Sequence, residues 1–292
     1  MSFFSKLFGK AKLDYREKYD LSQASMAGTM SSVYKARDKK TGEIVALKIL
    51  DMKKLAAVES RFKGTKKPTE GEIAVLFRDH PYIVKTFEQG LTTDGDHYLI
   101  MEYLEGTGLN NVLMFQQDPL DGIRTMYVRQ VAEAIQAVHD NGYIHRDICP
   151  RNLIFTGDFD ALKLTDFGLS VPNRFPFTEP GNRTGTANYM APELVRRRPT
   201  DHRLDVFSFG VTIYEMFTKQ LPWIRGDSLR GDTGKAAMTH DQPPDPITRH
   251  YPNINPQMAK AIHSCIEADP AKRCQSMNDF LKMIQSVATD NA

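Results

Sequence analysis

The stretch His145-Arg146-Asp147-Ile148-Cys149-Pro150-Arg151-Asn152, with Asp166-Phe167-Gly168 fourteen residues past the Asn, decides the reading of this chain. Each string alone is short enough to arise by chance. Their order, their spacing and the strand pair between them are not easily accidental. Asn152–Phe155 and Ala161–Leu164 are short apolar runs around a Gly157-Asp158 turn, which predicts two strands joined by a hairpin. Just upstream, Ile123, Tyr127, Val131, Ala134, Ile135 and Val138 mark one side of a helix that stops near Asn141-Gly142.

Working outward, Leu204–Thr218, Gln257–Glu267 and Met277–Val287 read as further helices, and the Pro-rich acidic stretch Asp241–Pro246 as a loop. Toward the N-terminus the pattern changes to strands. Ser32–Ala36 and Ile44–Leu50 flank the turn-forming Asp38-Lys39-Lys40-Thr41-Gly42, and Ile83–Phe87 and His97–Leu104 flank Thr93-Asp94-Gly95-Asp96. Between the pairs, Lys53–Phe77 is basic and then helical, with Pro68 suited to a helix start and Ile73, Leu76 and Phe77 as its apolar face. A tail over 1–14 thus precedes a sheet-rich small lobe (15–101), a linker (102–106) and a mainly helical large lobe (107–288).

The chain has 292 residues, 38 Lys+Arg against 36 Asp+Glu, and three cysteines. That length suffices for a core without disulfide staples or structural metals. A net charge of +2 argues against a field-driven nucleic-acid binder. Cys149, Cys265 and Cys274 are odd in number and fit no zinc spacing, so a reducing, cytoplasmic compartment is expected. Leu204–Phe217, the most apolar helical candidate, contains Asp205 and Glu215 and is too short to span a bilayer. The opening MSFFSKLFGKAK sets Phe3, Phe4, Leu7 and Phe8 against Lys6, Lys10 and Lys12. Such a tail either packs its aromatics on the domain or lies on a membrane surface. The few residues after Val287 leave no room for a regulatory domain, so targeting is expected from this domain's own surface or from partners.

With these motifs the sequence resembles the eukaryotic-type protein kinase family, over about Tyr15 to Val287. The resemblance extends to Val45-Ala46-Leu47-Lys48, to Gly185-Thr186-Ala187-Asn188-Tyr189-Met190-Ala191-Pro192-Glu193, to Asp205-Val206-Phe207-Ser208-Phe209-Gly210 and to Arg273 after Asp269-Pro270. It implies an α+β fold of two lobes around a nucleotide cleft. It also implies transfer of the γ-phosphoryl group of ATP, with Mg²⁺ as cofactor, to serine or threonine hydroxyls of a protein substrate. Such chemistry requires cations and positioning more than covalent catalysis.

The resemblance carries roles residue by residue. Lys48 would contact the α- and β-phosphates, held by an acidic partner on the following helix. Glu59, Glu70 and Glu72 compete for that place, and Glu72 is favoured because Leu76 then falls one turn on, on the same face. Asp147 would orient the substrate hydroxyl, and Asn152 and Asp166 would hold Mg²⁺. Gly28, Val33, Ala46 and Ile154 would meet the nucleotide, Met101 matches the gatekeeper, and Glu102, Tyr103 and Leu104 match the hinge that faces adenine. His145 and Phe167 would pack beneath the site with Leu76. Glu193 and Arg273 match a buried ion pair, and Asp205 the acid that braces the catalytic loop. Thr178 and Thr184, near Arg174 and Arg183, are candidate phosphosites, and Thr186 matches the residue that braces the catalytic Asp in serine/threonine-specific members.

Two departures stand out. The Gly-rich loop reads Met26-Ala27-Gly28-Thr29-Met30-Ser31-Ser32-Val33 and keeps only Gly28, which predicts a stiffer flap. Cys149 stands where serine/threonine-type members carry a Lys for the γ-phosphate. Arg151, as in tyrosine-type members, would replace that cation. The alternative is a pseudokinase-like scaffold with weak or no phosphotransfer. A small-molecule phosphotransferase of related fold should lack the Gly185–Glu193 segment and Arg273.

Overall fold

The computed structural model describes residues 12–27, 31–52, 67–180, 184–223, 240 and 242–291. The chain divides into two compact units, Met1–Asp79 with Val84–Leu104, and His80–Ile83 with Glu105–Ala292. Strand β1 (Tyr19–Ala27), β2 (Ser31–Asp38), β3 (Ile44–Leu50), β4 (Thr86–Leu91) and β5 (His97–Glu102) form one antiparallel sheet in the smaller unit, in the order β1-β2-β3-β5-β4.

The central strand β3, Ile-Val-Ala-Leu-Lys-Ile-Leu, alternates between two faces as the pleat requires. Leu47 packs with Tyr19, Ala36, Tyr98 and Ile100, and Val45 and Ile49 lean on the same cluster. Ala46 and Lys48 therefore lie on the other face. Several expected strand limits shift, at β2, β4, β5 and the strand that starts at Leu153, and one strand of this sheet is additional. Strand β1 was not foreseen, because Tyr-Asp-Leu-Ser-Gln-Ala-Ser-Met-Ala has no β-branched residue and its pairing with β2 is broken by register shifts. Strand β4 starts at Thr86 rather than Ile83, since Ile83 bridges to Leu164 in the larger unit to which both belong. Helix α1 (Tyr15–Lys18) is capped by Asp14, whose carboxylate accepts from the Arg16 and Glu17 amides.

Helix α2 spans Glu70–Ala74 and continues as a 3-10 turn, Val75–Phe77. Its cap is Thr69, one residue past Pro68, and the Thr69 hydroxyl and the Glu72 carboxylate exchange bonds with each other's amides. Ile73, Ala74 and Phe77 are buried, whereas Leu76 is 46% exposed and leaves the expected apolar face.

In the larger unit, helix α3 (Leu109–Val112) precedes α4 (Arg124–Asp140). Strand β6 (Tyr143–Ile144) pairs with β9 (Val171–Pro172), and β7 (Leu153–Thr156) with β8 (Ala161–Leu164). Helices α5 (Pro192–Val195), α6 (Arg203–Thr218), α7 (Pro256–Cys265) and α8 (Met277–Met283) complete the unit. Helix α8 ends a turn before the expected Val287. Helix α6 is buried on nearly every side, as its all-round apolar sequence demands. Helix α4 has no cap of its own. Instead Asp290 supplies one, its carboxylate accepting from the Arg124 and Thr125 amides and the Thr125 hydroxyl at 2.7–3.0 Å. Among the described residues no helix is long and apolar enough to cross a membrane. The aromatic tail, Gly28, Glu59, Arg183 and Asp241 lie outside the described residues.

Candidate active site

In the smaller unit, Lys48 sits in the middle of β3, between Val33 on β2 and Leu99 on β5. Its ammonium reaches the Glu70 carboxylate at 2.6 Å, and both side chains are almost fully buried. The expected partner was Glu72, and the structure replaces it with Glu70. The capping box explains the difference. Glu72 occupies the third helical position and folds back to the Thr69 amide at 2.7 Å, so its carboxylate is committed to the helix end. Glu70 opens the helix instead, with Ala74 one turn on. Gly71 is needed for close approach, since a Cβ there would lie 2.7 Å from the Gln89 Cβ on β4.

Ala46 pairs with Met101 across β3 and β5, and both are buried. Past Met101 the Glu102 amide donates to the Lys85 carbonyl at 2.9 Å, and the Glu102 carboxylate accepts from the Lys85 amide at 2.7 Å. Tyr103 and Leu104 follow, with the Lys35 ammonium 4.4 Å from the centre of the Tyr103 ring.

In the larger unit, the segment between β6 and β7 is built around one buried acid. Asp205, on the first turn of α6, is fully buried and accepts from the His145 and Arg146 amides at 2.7 and 2.8 Å and from His139 at 3.0 Å. Burial pushes the Asp205 carboxyl up, but the bonds from His139 and His145 outweigh it and hold it below the usual carboxylate value. These bonds pin Arg146 at a φ of 70°, a left-handed conformation that a side chain adopts only under constraint. The buried Arg146 guanidinium is pushed down to about 10 by desolvation, against the pull of Asp205. His145 bonds the Thr165 carbonyl at 3.2 Å and meets the Phe167 ring edge-on at 5.1 Å.

The bend at Arg146 turns Asp147 into a ring of donors. Its Oδ1 accepts from the Thr186 amide at 2.8 Å and the Thr186 hydroxyl at 2.7 Å. Its Oδ2 accepts from Asn152 and Arg151, each at 2.9 Å. The other Asn152 N–H goes to the Asp147 carbonyl at 2.7 Å, so the amide oxygen of Asn152 is the group left to face a cation. The Arg151 side chain is 59% exposed. Asp166 also has a left-handed φ, 69°, and its carboxylate accepts from the Gly168 amide at 3.2 Å. Ile154 lies on β7 opposite Lys163. Among the described residues there is no cluster of three or more His, Cys, Asp and Glu for a metal.

Gly185 carries Thr186 into place. Its φ is 130°, and a Cβ there would lie 2.8 Å from the Arg146 carbonyl. The Cys149 sulfur lies 3.4 Å from the Thr186 hydroxyl, and the thiol is buried, with burial and the nearby Asp147 pushing its pKa up to about 12. It is an inert thiol, not a reactive one. Downstream, Glu193 and Arg273 meet in a two-bond fork at 2.7 and 2.9 Å. The residues that sequence reasoning did not reach are His139, Thr69 and Asp290. Of these only Thr69 had a signal, the Thr-x-x-Glu spacing of a capping box.

Comparison with known proteins agrees with this arrangement. The family model described as "Protein kinase domain" matches residues 26–284. A probable serine/threonine-protein kinase of Clostridium perfringens is 31% identical over 277 residues, covering 94% of this chain and 38% of that protein. An Aurora kinase of Yarrowia lipolytica is 32% identical over 260 residues, covering 88% of this chain and 65% of that one. The chain thus spans less than two thirds of the length of these curated relatives. The solved structure of the Cydia pomonella granulovirus kinase PK-1 superimposes with a TM-score of 0.74 at 20% identity, over 92% of this chain and 94% of that one, a likeness of fold. With the matched region spanning both units and every motif from Val45 to Arg273, the chain belongs to the protein kinase domain family.

Proposed function

We propose that this protein is a serine/threonine protein kinase that transfers the γ-phosphoryl group of Mg·ATP to protein hydroxyls. The observation that carries the reading is the Asp147 carboxylate, held by four donors with both oxygens oriented. Such a group is fixed to take a hydrogen bond from an incoming hydroxyl rather than to serve the fold. The kinase names of the relatives and the Thr186 brace support serine and threonine as acceptors.

The donor set fits a magnesium ion. Asp166 offers a carboxylate and Asn152 an amide oxygen, and Mg²⁺ takes few protein ligands and completes its shell with water and phosphate. When bound, Mg²⁺ and ATP supply the phosphoryl group and neutralise its charge. The chain's own groups position and hold. Lys48, kept in place by Glu70, presents its ammonium to phosphate oxygens. Glu102–Leu104 offers backbone groups to adenine, with Val33, Ala46, Met101 and Ile154 as apolar contacts. Arg151 provides the cation that Cys149 does not. The three free cysteines support a reducing, cytoplasmic setting.

A scaffold role without turnover is favoured only by Cys149 and by the loss of glycines at Met26 and Ser31. One assay separates the two. Purified protein is incubated with Mg·ATP labelled on the γ-phosphate and with casein, beside Asp147→Asn. We expect incorporation to exceed that of the variant by about 10²–10⁴-fold, the range for a positioned acid–base group. Equal incorporation would leave the scaffold reading.

A further inference from the structure

The Thr186 hydroxyl has two neighbours, Asp147 Oδ1 at 2.7 Å and Cys149 Sγ at 3.4 Å, and only one proton. A carboxylate can only accept, so that proton is committed to Asp147. Thr186 then turns a lone pair toward the sulfur, and the contact closes only when the thiol is the donor. We propose that the Cys149 thiol donates to Thr186 Oγ and thereby locks the hydroxyl onto Asp147, which makes Cys149 a positioning residue for the phosphotransfer site. A neutral thiol has one proton to donate, and Cys149 is buried beside the hydroxyl. The result is a directional chain, S–H to O–H to carboxylate, in which each bond polarises the next. Cys149 is therefore more than the loss of a cation. It aligns the carboxylate, while Arg151, on the opposite oxygen, carries the charge.

This inference rests on the kinase reading only for its kinetic half, so the test has two arms. The first is infrared spectroscopy of the S–H stretch. The band of Cys149 is isolated from those of Cys265 and Cys274 by difference against Cys149→Ala. Thr186→Val removes the acceptor and should move the band to higher frequency, while Thr186→Ser keeps the acceptor and should leave it in place. A band that ignores Thr186→Val overturns the proposal whether or not the protein is an active kinase. The second arm is kinetic. Cys149→Ala should lower kcat about 2- to 10-fold, the worth of one net hydrogen bond, with KM for ATP unchanged. Cys149→Ser, which keeps a donor, should recover part of the loss. In a Thr186→Val background Cys149→Ala should cost nothing more. Equal losses in both backgrounds would mean that Cys149 acts by packing alone. Wild-type turnover no higher than that of Asp147→Asn would sink the kinase reading and leave the infrared result to decide the bond.

Discussion

Two buried ion pairs, one in each unit, show how similar chemistry serves different ends. Lys48 meets Glu70 at 2.6 Å, and Arg273 meets Glu193 at 2.7 and 2.9 Å. Arg273 also donates to the carbonyls of Glu267 and Arg203, and its guanidinium stacks 5.0 Å over the Phe207 ring. A planar fork used on both edges has one geometry and no second occupation. An ammonium is a compact charge on a flexible stem, whose donors can turn from a carboxylate to a phosphate. The Arg pair fixes the fold around α5 and α6. The Lys pair is the kind that can share its cation with a ligand.

The sharpest way to break this comparison is to remove each cation. Arg273→Ala leaves the Glu193 carboxylate buried without its fork and should cost about 3–5 kcal/mol in urea unfolding. A cost under about 1 kcal/mol would show that the pair is not structural. Lys48→Met should lower phosphotransfer by about 10²-fold or more while moving the unfolding midpoint less than Arg273→Ala, which also strips the Glu267 and Arg203 carbonyls of their donor. Should Lys48→Met unfold the protein as Arg273→Ala does, the two pairs are not different in kind. The finest contrast lies within α2. Glu70→Gln should reduce kcat/KM about tenfold or more, by weakening a charged bond. Glu72→Gln, which a capping box tolerates, should change stability by less than about 0.5 kcal/mol and leave turnover alone. If the two variants exchange behaviours, Glu72 is the partner of Lys48.

That last contrast also marks where the sequence was legible. Helices α4 and α6 and the β7–β8 hairpin follow from apolar spacing and turn residues, because their patterns are long or sharply bounded. The Asp147–Asn152 loop and Asp166 were readable as a set through their spacing. The Lys48 partner was misread because Leu76 seemed to extend a helical face, while Thr69-Glu70-Gly71-Glu72 already spelled a capping box that commits Glu72. The 3-10 turn at Val75–Phe77 then breaks the assumed face. Strand β1 had no strong local signal and owes its form to pairing with β2. The bond between Cys149 and Thr186 joins residues 37 apart in the chain, and no local pattern could announce it.

The path of the backbone through the two units has a practical consequence for dissecting the protein. The segment His80–Ile83 belongs to the larger unit although its flanks belong to the smaller one. There Ile83 is fully buried and the Tyr82 carbonyl accepts from the Leu164 amide at 2.9 Å. The boundary in space is therefore not a boundary in sequence. A fragment ending at Leu104 would expose Ile83, a loss of about 1.5–3 kcal/mol of burial, and one starting at Glu105 would leave the Leu164 amide without its acceptor. Neither half can be obtained by a single cut, so separate study of either requires a graft: Asp79 joined directly to Val84 in one, and the His80–Ile83 peptide restored in the other.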